Sequence, residues 1–95
     1  MATKTATFTA DGTIDLGVMI DPIFTVDGAT WGGGTLKIKI DGVVVDSAIT
    51  ADFYGQMYDT TGRPMHFSAT LSGSSSPDID LVAVYVQERG RASRS

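Results

Sequence analysis

Cysteine is absent from the 95 residues. That removes disulfides, thiolate metal sites, cysteine nucleophiles and thiol redox chemistry. Histidine occurs once, at His66, which leaves little material for imidazole metal sites or for acid–base chemistry. Asparagine is also missing, Glu88 is the only glutamate and glutamine appears twice, so the residues that usually coat helix surfaces are scarce. A helix longer than two turns has no obvious place. No apolar run approaches the roughly 18 residues that cross a bilayer as a helix, and no membrane partner is expected. Met1-Ala2-Thr3-Lys4 has no apolar core behind its single lysine, so no secretory leader is expected. The shortage of chemistry-bearing side chains leans against an enzyme, and no cofactor is expected.

What is present points to strands. Threonine (12), valine (8) and isoleucine (7) outnumber leucine (4), and 11 glycines punctuate the chain. Branched Cβ atoms lose χ1 freedom in a helix and fit a pleated surface. With 42% hydrophobic and 19% charged residues the composition is that of a globular chain. A chain of this length supports one modest core, burying roughly 60–65% of its unfolded surface.

Thr3–Ala10 alternates strictly, with Thr3, Thr5, Thr7 and Thr9 on one face and Lys4, Ala6, Phe8 and Ala10 on the other. After the turn signal Asp11-Gly12, residues Ile14, Leu16, Val18 and Ile20 share a face. Asp21-Pro22 interrupts, because proline lacks an amide donor, and marks a strand end, an edge or a bulge. A strand over 23–26 is closed by Asp27-Gly28. Trp31-Gly32-Gly33-Gly34 reads as a loop that bends sharply or approaches something closely. Leu36, Ile38 and Ile40 face inward, Thr35, Lys37 and Lys39 outward, and Asp41-Gly42 is the strongest hairpin signal in the chain. Val43–Val45 returns from it, 47–53 is a weaker strand, and 55–62 stays ambiguous between strand and packed loop. Met65, Phe67, Ala69 and Leu71 then share one face. Ser72–Pro77 is a loop, and 79–86 is apolar on both faces, as in a central strand covered on both sides.

About eight short strands with turn signals every 8–12 residues argue for an all-β fold, an antiparallel two-sheet β-sandwich of jelly-roll or immunoglobulin-like type. Residues 1–88 form that domain with a net charge of −7, and residues 89–95 form a basic tail with Arg89, Arg91 and Arg94 and a charge of +3. An acidic body disfavours nucleic acid, since phosphate contacts need clustered bases. The tail either dangles or binds an acidic surface.

Each candidate site has a bland reading beside the functional one. His66 could join Ser68 or Ser72 and an aspartate, but no nucleophile elbow or oxyanion loop stands near, so it reads as a surface or half-buried strand histidine. The ten aspartates lack the spacing of a calcium loop. Three of them, Asp11, Asp27 and Asp41, directly precede glycine, which is turn chemistry. No metal is expected. Trp31 either caps the end of the fold or is exposed for contact, and Tyr54 and Tyr58 carry the same two readings. Lys37 and Lys39 read as a solvated face, or as edge protection if their strand is peripheral.

One segment runs from Thr30-Trp31-Gly32-Gly33-Gly34 through Thr35–Ile40 to Asp41-Gly42, and another from Arg63 through Phe67-Ser68-Ala69-Thr70-Leu71-Ser72-Gly73 to Pro77-Asp78-Ile79-Asp80-Leu81. Together they resemble a type of small bacteriophage virion protein. Thr7–Thr13 has a similar flavour. An aromatic often follows the Asp-Gly turn in such proteins, and Val43-Val44-Val45 stands there instead. The resemblance implies a non-enzymatic decoration or cement protein on a capsid surface, made in the host cytoplasm. Its partners would be the major capsid protein or other virion proteins, and its state a homo-oligomer, dimer or trimer. The candidate interface is then Trp31, Tyr54, Tyr58, Arg89, Arg91 and Arg94. The alternative is a carbohydrate- or receptor-binding module of a tail appendage, with Trp31, Tyr54 and Tyr58 as exposed stacking platforms.

Overall fold

The computed structural model describes residues 2–86, and the tail carrying Arg89, Arg91 and Arg94 lies outside them. The described chain is all-β, with no helix. Seven antiparallel strands follow in order: β1 (Ala2–Phe8), β2 (Gly12–Thr30), β3 (Thr35–Ile40), β4 (Val43–Ile49), β5 (Phe53–Met57), β6 (Met65–Ser72) and β7 (Asp78–Val86). They connect as one sheet in the order β1-β7-β2-β6-β3-β4, with β5 also pairing to β2.

Seven strands stand where about eight were expected, because 13–20 and 23–26 are one strand. Asp21-Pro22 does not end β2. It inserts one extra residue between Ile20 and Ile23 where β7 advances from Val86 to Val84. Asp21 takes φ 46°, and its carboxylate accepts from Thr60 N at 2.7 Å and Thr60 Oγ1 at 3.0 Å. Pro22 is buried and its carbonyl accepts from Tyr58 N at 2.9 Å. The weak strand at 47–53 divides instead, its first residues ending β4 and Phe53 opening β5.

Long β2 works in two halves. Gly12–Met19 pairs with β6, whereas Ile20–Thr30 pairs with β7 and Ile23–Val26 with β5. Phe67 sits opposite Gly17, seven residues before Phe24 on the same strand. A straight strand would hold Phe24 and Phe67 about 23 Å apart. Their ring centroids are 5.7 Å apart, so β2 bends and its two halves share a core. Tyr58 completes the aromatic cluster, 5.1 Å from Phe24 and 6.3 Å from Phe67. Around it lie Leu36, Ile38, Ala69, Leu71, Ile79, Leu81, Ala83, Met19 and Val26.

The alternation expected for β1, β3 and β6 places one face of each toward the core, with Ile40 and Met65 half-buried and Lys4 exposed at the margins. Ala6 and Phe8, Leu36 and Ile38, and Phe67, Ala69 and Leu71 all face the core. Three expectations need correction. Val18 does not face inward with Leu16, because one extra residue lies on β2 between Asp15 and Gly17, with Gly17 at φ 85°. The bulge shifts the alternation, so Leu16 and Met19 are buried and Val18 is exposed. β7 is central in the ladder but covered on one face only: Ile79, Leu81 and Ala83 are buried, whereas Val82 and Val84 are half-exposed. Asp27-Gly28 makes no turn, since β2 runs on to Thr30. Gly28 serves close approach instead, because a Cβ there would lie 2.4 Å from Nε1 of the Trp31 indole.

Candidate functional site

The outer face of β2, β6 and β3 carries a cluster of exposed polar groups. Cross-strand partners point the same way, so register fixes its rows. Thr13, Thr70 and Lys37 form one row, and Asp15, Ser68 and Lys39 the next. Thr13 Oγ1 and Thr70 Oγ1 share a hydrogen bond of 2.8 Å. At the end of this face Thr13, Asp15, Asp41, Gly42, His66 and Ser68 line an open groove of about 510 Å³.

Two local motifs build the groove. The Asp41-Gly42 turn has φ 51° and 81° and closes the Ile40–Val43 pair, as its sequence predicts. Asp41 N donates to the His66 carbonyl at 2.7 Å, and His66 N donates to Asp41 Oδ1 at 3.1 Å. The bulge after Asp15 is the second motif. Asp15 Oδ1 accepts from Gly17 N at 2.8 Å and pairs with His66 Nε2 at 2.5 Å. The His66 hydrogen bond, then the Gly17 amide, hold the Asp15 carboxyl below its ordinary range.

The groups that line the groove are tied mainly to one another and to the backbone. The His66 side chain is about half exposed, and no described hydrogen bond joins it to Ser68. Ser72 lies six residues along β6, about 20 Å away at strand rise. A serine nucleophile needs its base within hydrogen-bond reach. What the groove offers is a hydroxyl pair, an imidazole edge and two carboxylates already engaged by the protein. Lys37 and Lys39 stand on β3, between β6 and β4, so they are not edge residues.

The aromatic candidates separate. Trp31 is half-buried, lies over Gly28 and donates from Nε1 to Asp52 Oδ1 at 2.8 Å, where Gly28 N also donates. Tyr58, open between a packed cap and an exposed contact, is a core residue at 9% exposure. Its ring packs against both Phe24 and Phe67, and its hydroxyl donates to Asp46 Oδ2 at 3.2 Å. Burial, then the Asp46 charge, push its phenol well above the usual range. Tyr54 alone is open, at 71% exposure. Trp31, Tyr54 and Tyr58 therefore do not form a shared stacking face. Arg89, Arg91 and Arg94 lie outside the described residues.

Most aspartates are fasteners. Asp11 accepts from the Ser74 hydroxyl, from Ser74 N at 3.0 Å and from Gly73 N at 3.1 Å, tying the β1–β2 turn to the β6–β7 loop. Asp21 holds Thr60, and Asp52 holds Trp31 and Gly28. Ser74 lowers the Asp11 carboxyl, the Thr60 amide lowers Asp21, and the Trp31 indole lowers Asp52. With Asp15, these are carboxyls whose folded values sit below the ordinary value of about 3.9. Such groups contribute stability above the unfolded value and lose it as pH falls through the folded value. The melting temperature should therefore fall steeply only below about pH 4, and Asp11→Asn should shrink that drop. Thermal melts between pH 7 and pH 3 check this. A flat profile, or a collapse already complete at pH 5, counts against it.

Sequence reasoning singled out His66 and Ser68 but not Asp15 and Asp41 as their neighbours. Asp15 and His66 are 51 residues apart, and only the β2–β6 register joins them. Among the described residues no group of three or more His, Asp or Glu side chains is placed to hold a metal ion. Among the same residues no helix is long and apolar enough to cross a membrane. No protein-family model, curated protein or solved structure matches the chain.

Proposed function

We propose that this protein is a non-enzymatic adhesive module, a decoration or cement protein of a bacteriophage capsid, folded as a two-layer β-sandwich. One observation carries the reading. The polar side chains capable of chemistry are turned to internal fastening, while a run of apolar side chains stands open on the edge strand β4. Val43, Val44 and Val45 are 64%, 43% and 47% exposed. Scattered apolar residues on a surface need no explanation, but three exposed valines gathered at one end of an edge strand, on both of its faces, suit a contact surface.

Two further features support it. The segment 30–42 that carries the virion-protein resemblance forms the glycine loop, strand β3 and the turn leading into those valines. The bend of β2 that brings Phe24 against Phe67 is what two facing layers require. Contact through β4 would be made by side chains. Its ladder to β3 shifts register twice, which spoils it as a template for an added strand. Arg89, Arg91 and Arg94 would add charge-assisted pairing with capsid carboxylates. A ligand that binds the assembled shell and not its free subunits stabilises the shell by mass action.

Cosedimentation with emptied capsids and with isolated tails of the encoding phage tests the proposal. Saturable binding to capsids is expected, and Val44→Asp should weaken it at least about tenfold, the effect of losing roughly 1.4 kcal/mol. Binding to tails alone would transfer the function to a tail appendage, and binding to neither particle would end the virion reading.

A further inference from the structure

The free strand edges are not alike. β4 carries two register shifts against β3. β5 carries one against β2 and has Gly55 at φ 71°. The first half of β2, which pairs only with β6 among the described residues, is broken by the bulge at Gly17. Bulges at edges are the usual protection against unwanted pairing. β1 has none. It matches β7 residue for residue from Ala2–Tyr85 to Phe8–Ile79, contains no glycine or proline, and bears one charge, Lys4. Its other edge has no partner among the described residues.

The side-chain order of β1 also suits one partner above others. Antiparallel pairing places same-face residues opposite one another. Thr3, Thr5 and Thr7 are exposed on one face and symmetrical about Thr5. A second β1 related by a two-fold axis at Thr5 uses all seven residues. It sets Thr5 opposite the partner's Thr5 and Thr3 opposite the partner's Thr7, the threonine pairs that stabilise sheets. It also sets Lys4 opposite the partner's Ala6, so the two lysines do not face each other. Shifting the axis to Lys4 would oppose two like charges and shorten the overlap. Shifting it by half a step would set the threonine face of one strand against the core face of the other.

We propose that β1 is a dimerisation edge, joining two copies of this chain by antiparallel β1–β1 pairing about a two-fold axis at Thr5. The interface is isologous, as a two-fold requires, and continues the sheet from β7 of one copy to β7 of the other. It selects the dimer over the trimer. It does not depend on the capsid reading and is tested on the isolated protein, so the two can fail separately.

A chain without cysteine makes the test clean. Directly opposed residues in an antiparallel pair lie about 4.5–5.5 Å apart at Cα, within the range a disulfide spans. Thr5→Cys should therefore cross-link to a covalent dimer under mild oxidation, while Val44→Cys on β4 should still associate but remain largely un-cross-linked. Sedimentation equilibrium of the unmodified protein should show a dimer. Thr5→Lys, on an exposed position, should weaken it at least tenfold, and mixing Thr5→Lys with Thr5→Asp should restore it. A strict monomer at high micromolar concentration overturns the proposal. So does a dimer that cross-links through position 44 and not position 5. Should the charged variants not fold, the cysteine pair decides alone.

Discussion

Phe24→Ala will lower the free energy of unfolding by about 3–5 kcal/mol, the range for deleting a fully buried aromatic. Phe24 has no exposed surface and holds both halves of β2 to one core. It sits opposite Ala83 on β7 and Gln56 on β5, and its ring meets Tyr58 and Phe67. Truncation removes two aromatic pairs, each worth about 0.5–1.5 kcal/mol beyond area burial. It also leaves a cavity walled by two rings that are themselves anchored, Tyr58 by Asp46 and Phe67 by its place in a central strand. Collapse into the gap is therefore limited. A domain of this length has a total stability of roughly 5–14 kcal/mol at typical per-residue values, so the variant should melt far earlier and unfold at much lower urea. Phe53→Ala, at a half-buried position beside the core, should cost less than half as much. If Phe24→Ala cost under about 1.5 kcal/mol, the halves of β2 would not be held together by this cluster.

The residues whose role was legible in the sequence are those whose physics is local. Asp41-Gly42 specifies its own turn, because the left-handed conformation it needs is tolerated by that pair whatever surrounds it. The alternation of β6 survives because its ladder to β3 is unbroken and the bulge in its ladder to β2 lies on β2, so Phe67, Ala69 and Leu71 all reach the core. In β2 the same alternation misleads after Asp15, since a one-residue bulge reverses which side faces inward. The signal for it was Gly17, a residue with no packing reason to stand in a strand. Tyr58 and Trp31 were ambiguous for a different reason. An aromatic in a loop is exposed or buried according to partners far along the chain: Phe24 and Phe67 for Tyr58, and Asp52 for Trp31. The groove beside His66 is non-local in the same way. Its carboxylates come from β2 and from the β3–β4 turn, and only strand register assembles them.

Gly32→Ala should cost about 3 kcal/mol, and Gly33→Ala about 1 kcal/mol, although the two glycines are neighbours in one loop. Both have positive φ, 60° and 76°, so both substitutions bear the penalty of placing a Cβ in the left-handed region, roughly 1–2 kcal/mol. The surroundings differ. Nothing lies within 4 Å of a Cβ at Gly33, whereas one at Gly32 would stand 2.2 Å from the carbonyl oxygen of Ser75. That oxygen is backbone and has no rotamer by which to escape. Relief requires the 31–34 loop and the 73–77 loop to part, and parting breaks the 3.0 Å hydrogen bond from Ser75 N to the Gly32 carbonyl. The movement would also disturb Gly34, where a Cβ would already lie 2.7 Å from Ser74 Cβ, and Ser74 is the residue that Asp11 holds. Overpacking of this kind typically adds about 1–3 kcal/mol to the conformational strain. Because the conformational term is nearly common to both variants, their difference isolates the loop–loop contact. Urea unfolding of the pair measures it directly. Equal losses would show that the two loops are not closely packed, and a larger loss at Gly33 would contradict the contact geometry outright.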